Sequence, residues 1–102
     1  MFAIAFDMVV ADIREHYTKG ISSAYTEIEK ALEPFGFERV QGSVYLTRNS
    51  DLSNMFDAIG TLKAMRWFRL CASDIRGFRV ENWSDFTATV KREDEYGGRR
   101  GR

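Results

Sequence analysis

The sequence predicts an α+β fold, a ferredoxin-like βαββαβ sandwich in which two helices cover one face of a four-stranded antiparallel sheet. Three features of the 102 residues carry that expectation: an opening run that alternates at period two, two apolar stripes at helical spacing, and an aromatic-rich pair of short runs between them.

Phe2-Ala3-Ile4-Ala5-Phe6 alternates large and small apolar side chains, which marks a strand covered on both faces, and Asp7 stands at its carboxyl end. Residues 8–20 stay open between a longer strand, a short helical turn around Asp12 and Ile13, and a loop that uses Thr18 as a helix cap. Ile21, Ala24, Tyr25, Ile28, Ala31, Leu32 and Phe35 recur at three and four residues, which predicts a helix. That helix must stop near Glu33, because Pro34 disfavours helical geometry in the residue before it and Gly36 follows. Residues 37–40 and 43–47 are rich in aromatic and β-branched types and read as a hairpin turning at Gln41-Gly42. Asn49-Ser50-Asp51 offers a turn and a cap for a second stripe of Leu52, Met55, Phe56, Ile59, Leu62 and Met65. Residues 75–80 alternate again as a fourth strand, whereas residues 83–91 fit either a short strand or a helix.

A chain of this length holds one domain, since halves would be too small to bury a core. Residues 1–92 are expected to form the ferredoxin-like domain and residues 93–102 a flexible Arg/Gly-rich tail. Fifteen basic residues balance fifteen acidic ones, so no global field attracts nucleic acid or membrane and any such binding must be local. With 44% hydrophobic residues the composition is that of a folded protein, and no apolar run approaches the ~18 residues of a membrane span. The opening residues lack a basic n-region and cleavage site, and the lone Cys71 has no partner, so a cytoplasmic location is expected. Because the first strand has no polar face, a homodimer that stacks or joins sheets is expected; the alternative is that the chain after Trp83 folds back over the sheet.

One Cys and one His, Cys71 and His16, cannot be brought together by local spacing and cannot complete a four-ligand zinc site. Magnesium asks only for one or two carboxylates besides water and phosphate oxygens, and Asp7 at a strand end is placed to offer one. The plainer role for Asp7 is turn formation or capping, and Asp12 is the second candidate. Lys63, Arg66 and Arg69 at three-residue spacing, with Arg76 and Arg79, could make a local phosphate-binding patch, or they could simply solvate the surface. Tyr17, Tyr45, Trp67 and Phe68 could stack bases, though aromatic side chains at such spacings mostly fill cores. A glycine-rich phosphate loop and internal repeats are both absent.

Up to Lys91 the chain resembles the virulence-associated protein D family of bacterial toxins. The likeness is carried by the opening Met1-Phe2-Ala3-Ile4-Ala5-Phe6-Asp7, the hairpin running from Gly36 through Gln41-Gly42-Ser43-Val44-Tyr45, the late Asp74-Ile75-Arg76-Gly77-Phe78-Arg79-Val80-Glu81, and Trp83-Ser84-Asp85-Phe86-Thr87. That family is similar to the small CRISPR adaptation nuclease in fold, symmetric dimer and first-strand aspartate. The resemblance implies an endoribonuclease toxin of a toxin–antitoxin pair, with RNA as substrate and a small antitoxin protein as partner. It implies Asp7 as the catalytic and Mg2+-binding residue, with Ser43 and Tyr45 lining the same cleft. Arg39, Arg66 or Arg76 would then hold flanking phosphates. Should metal prove unnecessary, attack by the RNA 2′-OH with Tyr45 or a Glu as base is the alternative chemistry. The alternative function is a non-catalytic dimeric binding module for RNA or a protein partner.

Overall fold

In a computed structural model, which describes residues 1–93, the elements follow the predicted order with three short α-helices added. The expected tail, beyond Glu93, lies outside the described residues. Strand β1 (Phe2–Met8) leads into α1 (Val10–His16) and α2 (Ile21–Leu32), then β2 (Glu38–Gln41) and β3 (Val44–Thr47). Helices α3 (Leu52–Ala64) and α4 (Arg66–Cys71), strand β4 (Ala72–Arg79) and α5 (Thr87–Lys91) complete the described chain. The sheet order is β2-β3-β1-β4 with every neighbouring pair antiparallel, as a ferredoxin-like sandwich requires.

The stop signal of α2 and the start signal of α3 act where the sequence puts them. A 3-10 turn, Glu33–Phe35, follows α2 with Pro34 inside it, and Gly36 closes it in the left-handed region at φ 77°. A Cβ at Gly36 would lie 3.1 Å from Thr47 Oγ1, so this position needs glycine for space as well as for φ. Asp51 caps α3 by accepting from the Ser53 backbone N–H at 3.0 Å. Of the open alternatives for residues 8–20, the short helix around Ile13 is the one formed; α2 begins after Gly20 rather than at a Thr18 cap. Among residues 83–91, helix α5 forms and no strand does.

Ile4 and Phe6 of β1, Tyr45 of β3, Ile28 and Leu32 of α2, Ala58 and Leu62 of α3 and Phe68 of α4 fill the core between the sheet and the helices. Phe6 stacks on Tyr45 at 5.7 Å between centroids and meets Phe68 edge-on at 5.2 Å. A smaller cluster of Ile13, Tyr17, Ala24 and Cys71 seats α1 against α2 and α4. The buried face of α3 is centred on Met55, Ala58 and Leu62, whereas Leu52 and Phe56, expected in the core, are exposed. The second stripe also breaks at Met65, whose extended backbone (ψ 99°) starts α4 as a separate helix.

The other sheet face carries no helix. Ala3, Ala5 and Asp7 share it with their strand partners Val44 and Leu46 on one side and Asp74, Arg76 and Phe78 on the other. From Glu81 onward every described residue is exposed, among them Trp83, Phe86 and Val90, so the chain after Trp83 does not bury itself on its own subunit. Among the described residues, no helix is long and apolar enough to cross a membrane.

Candidate active site

Two irregularities in the ladder flank the carboxyl end of β1. The register with β4 slips between Asp7 and Met8, which pair with Asp74 and Ala72 and leave Ser73 bulged. The β2–β3 register slips between Arg39 and Gln41, just before the turn that carries Ser43. Bulges bend the strand and re-aim side chains, and here they bring the ends of three strands around one cleft.

That cleft, of about 360 Å³, is lined by Ala5 to Met8 of β1, Tyr25 of α2, Ser43 and Val44 of the hairpin, and Asp74 and Arg76 of β4. Asp7 and Asp74 are direct strand partners, so their side chains leave the sheet on the same face. Arg76, two residues beyond Asp74, folds back to it, its Nε lying 3.1 and 3.2 Å from the two carboxylate oxygens. The Asp7 carboxylate is exposed and no hydrogen bond or ion pair among the described residues engages it. Ser43 is tied to β1 through its carbonyl, which accepts from the Phe6 N–H at 3.1 Å, and its Oγ donates to Tyr25 OH at 3.2 Å.

The sequence-predicted residues divide. Asp7, Ser43 and Arg76 meet in this cleft. Tyr45 does not: it sits one strand pair further in, opposite Ile4, fully buried on the helix side. Burial pushes its phenol up to about 12, and its hydroxyl has no hydrogen-bond partner, so it cannot serve as a base for a reaction in the cleft. Arg66 lies exposed on α4 in the helix layer, outside the cleft lining. Arg39 points from β2 toward α2, where its guanidinium lies 4.8 Å from the centre of the Tyr25 ring. Asp12 lies with Glu15 and His16 on α1, likewise outside the cleft lining.

Asp74 and Tyr25 are the residues that sequence reasoning missed. The signal for Asp74 was its spacing of two from Arg76 on a strand, which places both on one face; its pairing with Asp7 needs the β1–β4 register. Tyr25 was part of the α2 apolar stripe, and nothing in the sequence marks its hydroxyl. Of the proposed base-stacking aromatics, Tyr17, Tyr45 and Phe68 are buried, and Trp67 donates its indole N–H to Glu27 at 3.1 Å. Glu27 also accepts from the Tyr17 hydroxyl at 2.7 Å, a bond that with burial raises the Tyr17 phenol to about 12. Burial likewise pushes the Cys71 thiol up, which removes it as a nucleophile.

Fold and cleft together define a small ferredoxin-like protein with a carboxylate-lined, hydroxyl-edged cleft at the end of its first strand. No family model matches the chain. It is 54% identical over 91 residues to the endoribonuclease VapD homolog of Neisseria gonorrhoeae, covering 89% of this chain and 99% of that protein. It is 50% identical to endoribonuclease VapD of Dichelobacter nodosus and 46% identical to endoribonuclease VapD of Haemophilus influenzae, again over 91 residues and 89% of this chain, with 98% and 99% of those proteins covered. The chain belongs to the VapD family.

Proposed function

We propose that this protein is an endoribonuclease that cuts RNA phosphodiester bonds in the Asp7 cleft. The observation that carries the reading is the convergence there of two paired carboxylates, a guanidinium and a serine hydroxyl, on a chain whose relatives are named as endoribonucleases. In this reading Arg76, held by Asp74 and facing the cleft, takes a non-bridging phosphate oxygen and offsets its charge. Asp7, free of protein partners among the described residues, is the group that holds the attacking oxygen in line with the phosphorus or takes its proton. Ser43, whose Oγ donates to Tyr25 OH, lines the hairpin side of the same cleft.

The donor set suits magnesium, since Asp7 and Asp74 offer hard carboxylate oxygens and the open cleft leaves room for water and phosphate ligands. Asp7, with Asp74 beside it, would hold the ion, which when bound supplies Lewis-acid polarisation of the phosphate and a more acidic water.

The working form in this reading is a homodimer. A second copy is the occupant that fits the helix-free face, because Ala5, Val44, Leu46 and Phe78 form an apolar surface on a chain of zero net charge that would not repel its own image. The exposed Trp83, Phe86 and Val90 extend that surface along the last described segment. Since Asp7 lies on the same face, two-fold packing would set the cleft at the dimer interface. The protein would act as the toxin of a toxin–antitoxin pair, restrained in the cytoplasm by a small antitoxin protein.

The test is cleavage of a mixed-sequence RNA by the wild type and by Asp7→Asn, in magnesium and in chelator, with folding and oligomeric state matched. Loss of cutting in both the variant and the chelator supports a metal-assisted nuclease. Cutting that survives chelator but not the substitution points to attack by the 2′-OH, and a variant that cuts like wild type overturns the site.

A further inference from the structure

The carboxylates of the cleft come from β1 and β4, but its hydroxyls come from the hairpin and α2, and these are held by a residue whose sequence role was phosphate binding. Arg39 pairs across the ladder with Tyr45, so its side chain leaves β2 on the helix side, opposite to the face that bears Asp7, Asp74 and Arg76. There its guanidinium makes three contacts. Nε donates to the Gly42 carbonyl at 2.6 Å, Cζ lies over the Tyr25 ring 4.8 Å from its centre, and Nη1 lies 3.7 Å from Glu29 Oε1. Gly42 is the turn residue with positive φ, at 43°, and it immediately precedes Ser43. Arg39 therefore grips both sides of the Ser43–Tyr25 hydrogen bond, the turn backbone before Ser43 and the ring that carries the acceptor oxygen.

Two hydroxyls joined by one hydrogen bond have one proton committed and one free. Whichever oxygen donates within the pair, the other O–H remains available to an acceptor in the cleft that both residues line. The backbone bond from Phe6 N–H to the Ser43 carbonyl fixes this pair against the residue next to Asp7.

We propose, on the reading of the Asp7 cleft as a ribonuclease site, that the free O–H of the Ser43–Tyr25 pair donates a hydrogen bond to a non-bridging oxygen of the phosphate being cut, the proton staying on the hydroxyl, and that Arg39 is a positioning residue for the pair. Arg39 then contributes to turnover and not to RNA binding. Its branched guanidinium is required, because a single ammonium cannot cover the Tyr25 ring while bonding the Gly42 carbonyl.

Steady-state cleavage of one RNA oligonucleotide by wild type, Asp7→Asn, Tyr25→Phe, Arg39→Ala and Arg39→Lys, at two salt concentrations, tests this. Tyr25→Phe keeps the ring under Arg39 and so keeps the hairpin support. The expected result is a kcat about tenfold lower for Tyr25→Phe and for Arg39→Ala, the scale of one hydrogen bond, at unchanged KM. Arg39→Lys should not rescue, and the Tyr25→Phe/Arg39→Ala pair should be far less than additive, because both act through one contact. If Arg39 instead binds a phosphate, Arg39→Ala raises KM, leaves kcat alone and lowers the salt slope by about one charge; that result overturns the proposal, as does a Tyr25→Phe protein with wild-type kcat. An Asp7→Asn protein that cuts like wild type removes the underlying site, an outcome separate from both. Should Arg39→Ala fail to fold, Tyr25→Phe and Arg39→Lys still decide.

Discussion

Replacing Tyr45 by Phe should make the protein more stable and leave RNA cleavage unchanged. The ring is fully buried on β3, stacked at 14° on Phe6, and those apolar contacts survive the substitution. What is lost is one oxygen that has no hydrogen-bond partner. A buried hydroxyl stripped of water without a partner costs about 1–3 kcal/mol. Against that stands the loss of the few dispersion contacts the oxygen makes, at about 0.1–0.2 kcal/mol each. The net expectation is a gain of about 1–2 kcal/mol, and each kcal/mol shifts Tm by roughly 4–8 °C in a domain of this size. Urea unfolding followed by circular dichroism gives the stability difference as a midpoint shift at constant slope. Cleavage of RNA by the same preparation gives the functional half. A variant destabilised by more than about 1 kcal/mol would mean that the hydroxyl has a partner and that its deletion unpairs a second buried group. A variant that gains stability and loses cutting would place Tyr45 in the chemistry and refute its assignment to the core.

Four further outcomes are expected. Stability should fall as pH rises from about 10 toward 12, because the folded state keeps the phenolic protons of Tyr17 and Tyr45, both raised to about 12, which the unfolded chain gives up near 10; urea midpoints across that range should drop less for Tyr45→Phe. Gly36→Ala should cost about 1–2 kcal/mol, since the position has φ 77° and a Cβ would press on Thr47 Oγ1, which also serves Phe35 and Asn49; a urea midpoint at the wild-type value would contradict this. Phe68→Ala should cost about 3–5 kcal/mol through loss of the edge-on contacts to Phe6 and Trp67, measured in the same way. Phe78→Asp, at a side chain 43% exposed on the helix-free face, should leave the subunit folded but monomeric by sedimentation if a second copy covers that face, and an unchanged mass would locate the interface elsewhere.

Much of the fold was legible because each signal is local. Period-two alternation, a 3-and-4 stripe, Asp51 before an apolar run, and Pro34 with Gly36 after one all act within a few residues, and all act where the sequence puts them. The break at Met65 was not legible, since no Gly or Pro marks it. It is imposed by packing: Phe68 must reach Phe6, and Cys71 must reach the cluster around Ile13, which a straight continuation of α3 does not serve. The rotated burial of α3 has the same origin, because Leu52 and Phe56 satisfy helical spacing equally well but look away from the sheet.

The site shows where pattern reasoning stops. Ser43 and Tyr45 differ by two residues, so alternation puts both on the helix side of the hairpin and cannot separate them. Depth separates them: Tyr45 is opposite Ile4 in the middle of the ladder, and Ser43 is beyond the last β1–β3 pair, where the hairpin opens to solvent. Strand depth depends on register, and here it depends on two bulges, neither of which leaves a glycine or any other mark at the slipped position. Without the register, Asp74 cannot be seen to face Asp7, nor Arg39 to face the core residue Tyr45. The cross-strand neighbour therefore separates two arginines that charge alone cannot: Arg39, opposite the buried Tyr45, lies on the helix side against Tyr25 and the Gly42 carbonyl, whereas Arg76, opposite Ala5, lies on the helix-free face, paired with Asp74 in the lining of the cleft.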